Sequence, residues 1–515
     1  MVFLSKFSHP PIFFQNIYNL QVVITKMKLK FRPINLKSGR PIAFLNEILA
    51  KKYGFYNGER VEVFFKGKKL IIPANMAVNL VKEGEISFSE EAVDYFDIRN
   101  GEEVELSIAA KSPSTRFILK KLDNHTLSKG EIFSIIGDIV NNALNEAEIA
   151  YFVSAVYENG MTEKETVWLT DAVASTGKKL SWGNKQIVDK HSIGGVPGNR
   201  TTPIVVSICA ASGLIIPKTS SRAITSAAGT ADAVESVANV ELNEKKLIAT
   251  VEKTGACLAW GGSLGLAPAD DKLIRVERFL NVDPEPQLIA SILAKKISVG
   301  SKIVLLDIPY GKSAKVSLQE ALHLKKKFIK IAKHFNIKLE VILTDGSQPI
   351  GNGVGPILEI LDVYKVLRRD NPPIDLEKKS LFLAGRLLEI SGKAKKGTGE
   401  KIALEILDSG KALEKFEEII NIQGRKKTIL KPARYFYNLL ASKNLKIKNI
   451  DCRLINRLAQ ILGCPASKSS GIYIHKHCKE KVPKKERILT LYSESKKLLN
   501  EGIKFLRDSK PVITD

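Results

Sequence analysis

Apolar and polar residues alternate in short runs between residues 27 and 112, as in "KLKFRPINL" and "RVEVFFKGKKLIIPANM". Asn-Gly pairs, which favour tight turns, separate these runs at 57–58 and 100–101. Alternation with a period of two, bounded by turn residues, is typical of β-strands with one buried face. Residues 27–112 are therefore predicted to form an N-terminal β-rich domain.

The spacing of apolar residues becomes helical between about residues 116 and 179. "SKGEIFSIIGDIVNNAL" starts with a Ser-x-x-Glu pattern, whereas "NEAEIAYFVSAVYENG" and "TEKETVWLTDAVASTG" each end at a glycine suited to a helix C-terminus. A further helix-forming stretch, "DPEPQLIASILAKKISVG", follows later in the chain. We expect a helical subdomain made of residues 113–183 together with about 268–300.

Strand-like and helix-like segments alternate from about residue 184. "QIVDKHS", "LIIPKTSSR", "KIVLLDIPYG" and "KLEVILTDG" are predicted strands, and "TTPIVVSICAASG" is a predicted helix. This order predicts an α/β domain with a mixed sheet, residues 184–267 plus about 301–424, with ligand loops at the carboxyl ends of its strands. Residues 425–515 are predicted to form a C-terminal α+β part, so the fold class is multidomain α/β, as the chain length requires.

Residues 1–26 are rich in aromatic side chains and are interrupted by Pro10 and Pro11. They hold no apolar run long enough for a signal core or a membrane span, so no membrane association is expected. Two alternatives stay open for this segment: a real N-terminal extension, or a start assigned too early, with Met27 as the initiator.

The chain carries a net charge of +24, which indicates either a polyanionic partner or small phosphorylated substrates. Its basic residues occur as KK and KKK runs without interleaved aromatic residues and without an RNA-binding signature. We therefore expect no nucleic-acid partner. A protein that binds nucleic acid through a borrowed fold is kept only as a distant alternative.

Five cysteines, an odd number without CxxC spacing, indicate a reducing compartment. Cys464, His475, His477 and Cys478 lie close together in the sequence, but their spacing fits no standard zinc finger. We expect a cytoplasmic protein without a bound metal.

Two loops rich in small residues flank the apolar run "PIVVSICAASGLIIP": "VDKHSIGGVPGNRTT" at 188–202 and "SSRAITSAAGTADAVE" at 220–235. Backbone N–H groups can approach an oxyanion only where the side chains are small, and each loop has a cation near its start. The pattern predicts a site for one or two phosphate groups.

These loops resemble motifs of the thymidine and pyrimidine nucleoside phosphorylase family. Five motifs occur here in the family's order: "VDKHSIGGV", "SSRAITSAAGTADAVE", "GGSLGLAPADD", "ASILAKK" and "TDGSQPIGNGVG". The resemblance extends from about residue 115 to the C-terminus. The pyrimidine enzymes, however, read "HSTGGVGD" and "GRGLGHTGGT", and their Arg-Asp pair that holds the pyrimidine ring aligns with Val276 and Glu277. The β-rich N-terminal domain, "SRAITS", "VDPEPQ" and Lys315 instead resemble the nucleoside 5′-monophosphate branch, typical of archaea.

This resemblance implies phosphorolysis of AMP to a free base and ribose 1,5-bisphosphate, with inorganic phosphate as co-substrate and no other cofactor. Whether CMP and UMP also react stays open. A nucleoside phosphorylase acting on thymidine or uridine is the alternative, and the two functions differ in whether the substrate must carry a 5′-phosphate. The family forms dimers through its helical subdomain, which implies a homodimer or a larger homo-oligomer.

The resemblance also implies roles for individual residues. Asp283 matches the proton donor, and His191 and Lys295 are further candidates. Inorganic phosphate would be held by Lys190, Ser192 and Thr202. The residues that match AMP-binding positions are Gly195, Ser221, Arg222, Ala223, Ile224, Thr225, Ser226, Thr230, Ser291 and Lys315.

Several of these residues have structural alternatives. Ser221, Thr225 and Asp283 could be helix caps, because Ser, Thr and Asp are preferred at helix N-termini. Lys315 could be a surface lysine and His191 a structural histidine. The sequence also leaves open which loop holds the 5′-phosphate and which holds the attacking phosphate.

Overall fold

The computed structural model describes residues 26–223 and 226–515, and the chain divides into two units. The first unit contains the residues up to Thr115 together with Asn141–Asn145, and the second contains the rest of the chain. The expectations for residues 1–25, and those for Ile224 and Thr225, lie outside the described residues.

A closed six-stranded barrel forms the first unit. Its elements are β1 (Met27–Phe31), β2 (Ala43–Asn46), α1 (Glu47–Lys52), β3 (Glu59–Phe65), β4 (Lys68–Ala77), β5 (Glu85–Phe88), α2 (Glu90–Phe96) and β6 (Glu103–Ile108). The strands are hydrogen-bonded in the order β1-β5-β2-β4-β3-β6. In β1 the residues Met27, Leu29 and Phe31 are buried and the lysines between them are exposed, as the alternation predicts.

Four helices follow: α3 (Ser114–Leu122), α4 (Lys129–Val140), α5 (Glu146–Asn159) and α6 (Glu163–Ser175). At the start of α4 the Glu131 carboxylate accepts from the backbone of Ser128, and the Ser128 hydroxyl accepts from the backbone of Glu131. Thr162 and Glu165 make the same reciprocal pair at α6. These capping boxes explain why both helices begin where the Ser/Thr-x-x-Glu pattern occurs.

The α/β region alternates strands and helices. Its elements are β7 (Val188–Ser192), α7 (Thr201–Ala211), β8 (Ile216–Ser220), α8 (Thr230–Val234), α9 (Glu244–Thr254), β9 (Ala256–Trp260), a 3-10 helix (Gly261–Leu264), α10 (Pro268–Leu280), α11 (Glu285–Val299), β10 (Ile303–Tyr310), α12 (Leu318–His334), β11 (Lys338–Asp345), β12 (Gly353–Val354), α13 (Pro356–Arg368), α14 (Ile374–Ile390), α15 (Gly399–Asp408) and α16 (Lys411–Gly424).

Parallel pairing brings the carboxyl ends of these strands to one edge. The order β11-β10-β7 is parallel, β8 pairs in parallel with β9, and a parallel bridge between Ile187 and Ile215 joins the two groups. Helix α7 is buried along almost its whole length, and α11 and α10 pack on α6 and α5. The loops that follow β7, β8 and β9 therefore lie at the same edge of the sheet.

The C-terminal part is α+β. Its elements are β13 (Tyr435–Leu440), β14 (Leu445–Ile450), α17 (Cys452–Ile461), β15 (Gly471–Ile474), β16 (Lys481–Val482), β17 (Arg487–Ser493), α18 (Lys496–Ser509) and β18 (Val512–Thr514). They form the sheets β12-β15-β17-β13 and β16-β14-β18, in which all pairs are antiparallel. The predicted multidomain α/β class is confirmed. Among the described residues, no helix is both long and apolar enough to cross a membrane.

Candidate active site

A cleft lies between the carboxyl ends of β7, β8 and β9 on one side and helices α10 and α11 on the other. Parallel α/β sheets generally bind ligands at this edge. The residues that line the cleft are His191, Thr219, Ser220, Ser221, Arg222, Ala223, Trp260, Gly261, Gly262, Leu266, Ala267, Asp271, Ile274, Lys295 and Lys296.

Lys190 is the central residue of β7, and with Ser192, Thr201 and Thr202 it forms what we term the Lys190 cluster. The buried Lys190 ammonium donates to Thr201 Oγ1 over 2.8 Å and to Thr202 Oγ1 over 3.3 Å. The buried Ser192 hydroxyl has no hydrogen-bond partner among the described residues. A cation beside an unsatisfied hydroxyl is suited to binding an anion.

The charge of Lys190 is held in a buried environment. Burial lowers the pKa of Lys190 to about 8, and the nearby Asp307 carboxylate opposes this shift. Lys190 is therefore protonated at neutral pH and titrates under mildly alkaline conditions. The sequence predicts Lys190, Ser192 and Thr202 as a group; in the structure Lys190 donates to Thr202, and Ser192 lies two residues further along the same strand. Sequence reasoning did not identify Thr201.

A second group of buried charges lies under the cleft. The Asp189 carboxylate is 2.6 Å from Lys296 Nζ and 3.5 Å from Lys218 Nζ. Burial alone would raise the pKa of Asp189, but the two lysines outweigh this effect and lower it. Burial lowers the pKa of Lys296 to about 7.

His191 points into the cleft beside these lysines. Burial, followed by the positive charges of the neighbouring lysines, holds the pKa of His191 well below its usual range. The imidazole is therefore neutral at neutral pH. A neutral imidazole can donate one hydrogen bond and accept another, but it holds no extra proton to transfer to a leaving group.

Loop 221–230 is closed by Asp232. Its Oδ2 atom accepts hydrogen bonds from the backbone N–H groups of Ala223, over 2.7 Å, and Gly229, over 2.9 Å. One carboxylate oxygen therefore links Ala223 to Gly229. Helix α8 is capped at Gly229, so Ser221 is not the cap of this helix.

The buried Arg200 supports the same loop from below. Its guanidinium donates to Ala228 O and to Thr230 Oγ1, both over 2.8 Å, and it forms an ion pair with Glu359. The Ser226 hydroxyl also donates to Ala228 O, over 3.1 Å. Arg200 was quoted within the first loop motif but was not predicted to have a role.

Arg222 is surrounded by acidic side chains. Its guanidinium donates to Glu235 over 2.7 and 2.8 Å and to Glu241 over 2.8 Å, lies 3.3 Å from Asp232 and stacks on Trp260. The hydrogen bond from Arg222 lowers the pKa of Glu235 to about 2. These contacts show a structural role for Arg222 that the sequence did not suggest. Its role as a clamp for AMP stays a prediction.

Asp283 forms an ion pair with Lys315, and both side chains are partly exposed. Pro284, and not Asp283, occupies the N-cap position of α11, so Asp283 is not the helix cap that was considered as an alternative. Gly195 packs against this pair: it has a φ of +90°, and a Cβ atom there would lie 2.8 Å from Lys315 Cβ. The structure thus brings Gly195, Asp283 and Lys315 together from three separate loops, because only glycine permits this approach.

Helices α10 and α11 contribute a cluster of carboxylates and one lysine. Lys295 Nζ lies 2.6 Å from Asp270 Oδ2 and donates to Ser291 Oγ over 3.3 Å. Burial raises the pKa of Glu277 to about 8, and the negative charges of Asp270 and Asp283 add to the rise. Glu277 is therefore a protonated carboxyl group at neutral pH. Sequence reasoning noted its position but assigned it no chemistry.

The histidines and cysteines of the C-terminal part are not gathered into a metal site. His475 Nε2 contacts Thr490 Oγ1 at 2.8 Å, and His477 Nε2 contacts Asn352 Oδ1 at 3.0 Å. Within residues 26–223 and 226–515, no group of three or more His, Cys, Asp or Glu side chains is arranged to hold a metal ion.

Two family models match the chain. Residues 115–177 match the helical bundle domain of the glycosyl transferase family, and residues 184–413 match its a/b domain. The crystal structure of anthranilate phosphoribosyltransferase from Thermus thermophilus shares the fold, with a TM-score of 0.51 and 17% sequence identity over 59% of this chain and 98% of that chain. Fold and cleft together define a glycosyl transferase.

Curated relatives extend over nearly the whole chain. The AMP phosphorylase of Pyrococcus abyssi is 46% identical over 94% of this chain and 97% of its own length. A protein of Legionella pneumophila (strain Corby), provisionally named thymidine phosphorylase, is 42% identical over 89% of each chain. The chain belongs to the glycosyl transferase family in the group that includes the AMP phosphorylases.

Replacing Arg222 with alanine is expected to raise the KM for AMP by about 10- to 100-fold, the usual effect of losing a hydrogen bond to a charged group. The substitution also leaves Glu235 and Glu241 without this partner, so the melting temperature should fall as well. Arg222→Lys keeps the charge and serves as the control. An unchanged KM in Arg222→Ala would show that this guanidinium is purely structural.

Proposed function

We propose that the protein transfers the ribosyl group of AMP to inorganic phosphate, which yields adenine and ribose 1,5-bisphosphate. The observations that carry this proposal are two regions with cations and hydroxyls: the Lys190 cluster, and the cleft lined by Ser221, Arg222 and Lys295. A nucleotide substrate and a phosphate co-substrate require two such regions, whereas a nucleoside requires one. The full-length similarity to AMP phosphorylases supports the same assignment.

In this mechanism the Lys190 cluster holds the attacking phosphate. A phosphate oxygen forms a bond to C1′ of the ribose while the bond from C1′ to the base nitrogen breaks, and the electron pair of that bond leaves with the base. The ammonium of Lys190 and the hydroxyls of Ser192 and Thr202 fix the nucleophile and offset its charge in a buried setting. No further cofactor is required by these steps.

Asp283 is the proposed proton donor to the departing base. In the structure Asp283 is paired with Lys315, so the pair has to separate before Asp283 can donate a proton to the base. The 5′-phosphate of AMP carries more negative charge than a carboxylate and would therefore attract Lys315. Binding of the correct substrate would therefore release the acid for catalysis.

The remaining family positions are proposed to contact AMP. Loop 221–230 would provide backbone N–H groups and hydroxyls, and helix α11 would provide the side of the cleft opposite the sheet. The proposed contacts are Gly195, Ser221, Arg222, Ala223, Ile224, Thr225, Ser226, Thr230, Ser291 and Lys315, with His191 and Lys295 as further contacts.

Product analysis by ³¹P NMR tests this function. AMP and inorganic phosphate should be consumed in equal amounts, and the product should carry two phosphate esters on one ribose, at C1′ and C5′. Release of adenine with ribose 5-phosphate, and without consumption of inorganic phosphate, would show hydrolysis and contradict the proposal.

A nucleoside phosphorylase remains the second candidate, because the Legionella relative carries that kind of name. The chain has Val276 and Glu277 where the pyrimidine enzymes have their ring-binding arginine, which disfavours this candidate. Rates with CMP, UMP, uridine and thymidine would separate the base preference from the need for a 5′-phosphate.

The pH dependence of kcat/KM for inorganic phosphate should follow the titration of Lys190. Because its pKa is lowered to about 8, raising the pH through this value removes the positive charge and should lower kcat/KM for inorganic phosphate. Bound phosphate favours the protonated lysine, so kcat should fall only at higher pH. In Lys190→Arg the cation cannot be titrated in this range, and the inflection near pH 8 should disappear. An inflection that persists would assign it to another group.

We also propose a cytoplasmic homo-oligomer, at least a dimer formed through the helical subdomain. Two tyrosines of α5, Tyr151 and Tyr157, are more than half exposed, with relative exposures of 56% and 57%. Tyrosine is enriched at protein interfaces, which makes the exposed surface of α5 suitable for the dimer contact. Light scattering should give the mass of a dimer or a larger assembly, and Tyr151→Lys should shift it toward the monomer.

A further inference from the structure

Lys379 is a buried lysine outside the family motifs. It lies on α14 near the buried residues Leu376 and Ser380, and its side chain is only 9% exposed. Its ammonium is 3.0 Å from Asp307 Oδ2. Burying a lysine carries a large desolvation cost. A lysine in such a place therefore indicates that its partner carries a negative charge that has to be compensated.

Its partner Asp307 lies in β10 and is fully buried. In the sheet it is paired with Ser192 of β7, so it stands directly beside the Lys190 cluster. Thr344 donates a hydrogen bond to its other oxygen over 2.6 Å. Lys190 lies two residues before Ser192 in β7 and therefore on the same face of the sheet, and the negative charge of Asp307 opposes the lowering of its pKa.

Without Lys379, the Asp307 carboxylate would oppose phosphate binding in two ways. It would repel the phosphate dianion, and it would compete with that dianion for the ammonium of Lys190. In the structure Lys190 instead donates to Thr201 and Thr202, while Lys379 is the lysine in contact with Asp307.

We propose that Lys379 is a positioning residue for inorganic phosphate: it neutralises Asp307 and thereby keeps the Lys190 ammonium available to the anion. This inference rests on the proposed function, because it takes the Lys190 cluster as the phosphate site. Lys379 acts through Asp307 and does not itself touch the phosphate.

Two readouts test the inference: the Kd for inorganic phosphate by equilibrium dialysis, and the separate KM values for phosphate and AMP. Lys379→Met should raise the Kd and the KM for phosphate by about 10- to 100-fold, as expected for an uncompensated buried charge. The KM for AMP should change less than about threefold, since the effect is local to the phosphate. Lys378→Met, an exposed neighbour on the same helix, removes the same charge and should leave both values unchanged.

The double variant Asp307→Asn with Lys379→Met distinguishes positioning from direct contact. With both charges removed, phosphate affinity should return to within about threefold of the wild-type value, because the repulsion is gone. Recovery in the double variant, or in Lys379→Arg, also shows that the fold tolerates changes here. Failure of the double variant to recover would mean that Lys379 binds phosphate itself, and unchanged affinity in Lys379→Met would mean that it has no role. Either result overturns the inference.

Wild type and Lys190→Ala, measured in the same series, separate this inference from the proposed function. If the wild type binds phosphate through Lys190 and Lys379 but does not cleave AMP, the proposed function fails and the inference stands. If the wild type cleaves AMP and Lys190→Ala weakens phosphate binding while Lys379→Met does not, only the inference fails. A wild type that does not bind phosphate overturns both.

Discussion

Asp283→Asn is expected to lower the turnover of AMP by about 10² to 10⁴, the usual contribution of general acid catalysis. Asparagine keeps the size of the side chain and can still accept hydrogen bonds, but it has no carboxylic proton. The variant should therefore fold normally and bind AMP, since Asp283 is partly exposed and caps no helix. Adenine release at saturating AMP and phosphate measures the effect, and circular dichroism checks the fold.

Glu277→Gln is the matched control for this variant. Glu277 belongs to the neighbouring cluster of carboxyl groups, and it is protonated at neutral pH because burial raises its pKa to about 8. If Asp283 is the acid, Glu277→Gln should lose much less turnover than Asp283→Asn. The reverse order would assign the proton to Glu277. Near-normal turnover in both variants would exclude Asp283 and Glu277 as the proton donor.

Lys190→Ala is expected to lower kcat/KM for inorganic phosphate by about 10² to 10³, comparable to the loss of one preorganised donor from an oxyanion site. The buried ammonium is proposed to bind the nucleophile directly. Without it, the phosphate concentration needed for the reaction should rise and the turnover should fall. The KM for AMP should change much less. Initial rates over a matrix of AMP and phosphate concentrations separate these parameters.

Lys185→Ala is the control for the loss of one positive charge, because Lys185 is an exposed lysine shortly before β7. This variant should behave like the wild type, since an exposed lysine affects a buried site only weakly through water and salt. An unchanged phosphate KM in Lys190→Ala would place the attacking phosphate elsewhere in the cleft, most simply at loop 221–230.

Much of the fold could be predicted from the pattern of residues. Short, strongly apolar strands such as β10 and β11, and helices that begin with a capping box, are determined mainly by local sequence. Helix α8 ends at Val234, although the helix-like pattern of "TADAVESVAN" continues beyond it. The next residue, Glu235, makes ion pairs with Arg222 and Lys468, and such tertiary contacts are not visible in a local pattern.

The candidate site was predicted less completely. The Lys190 cluster follows from one continuous motif, so its members could be grouped from the sequence. The pairs Asp283–Lys315, Asp189–Lys296 and Asp307–Lys379 join residues that are distant in the chain, and only the packing of strands and helices brings them together. The sequence did indicate that such pairs exist: charged residues follow apolar residues within one predicted strand, as in "IVDKHS", and a buried charge requires a partner.

The most direct test of the central claim is adenine release from AMP and from adenosine at equal concentrations, each with and without inorganic phosphate. The account predicts rapid release from AMP that depends on phosphate, and release from adenosine that is slower by at least about 10²-fold, because the nucleoside lacks the group that loop 221–230 and Lys315 are proposed to hold. Equal rates for the two substrates, or release from AMP that does not require phosphate, would contradict it.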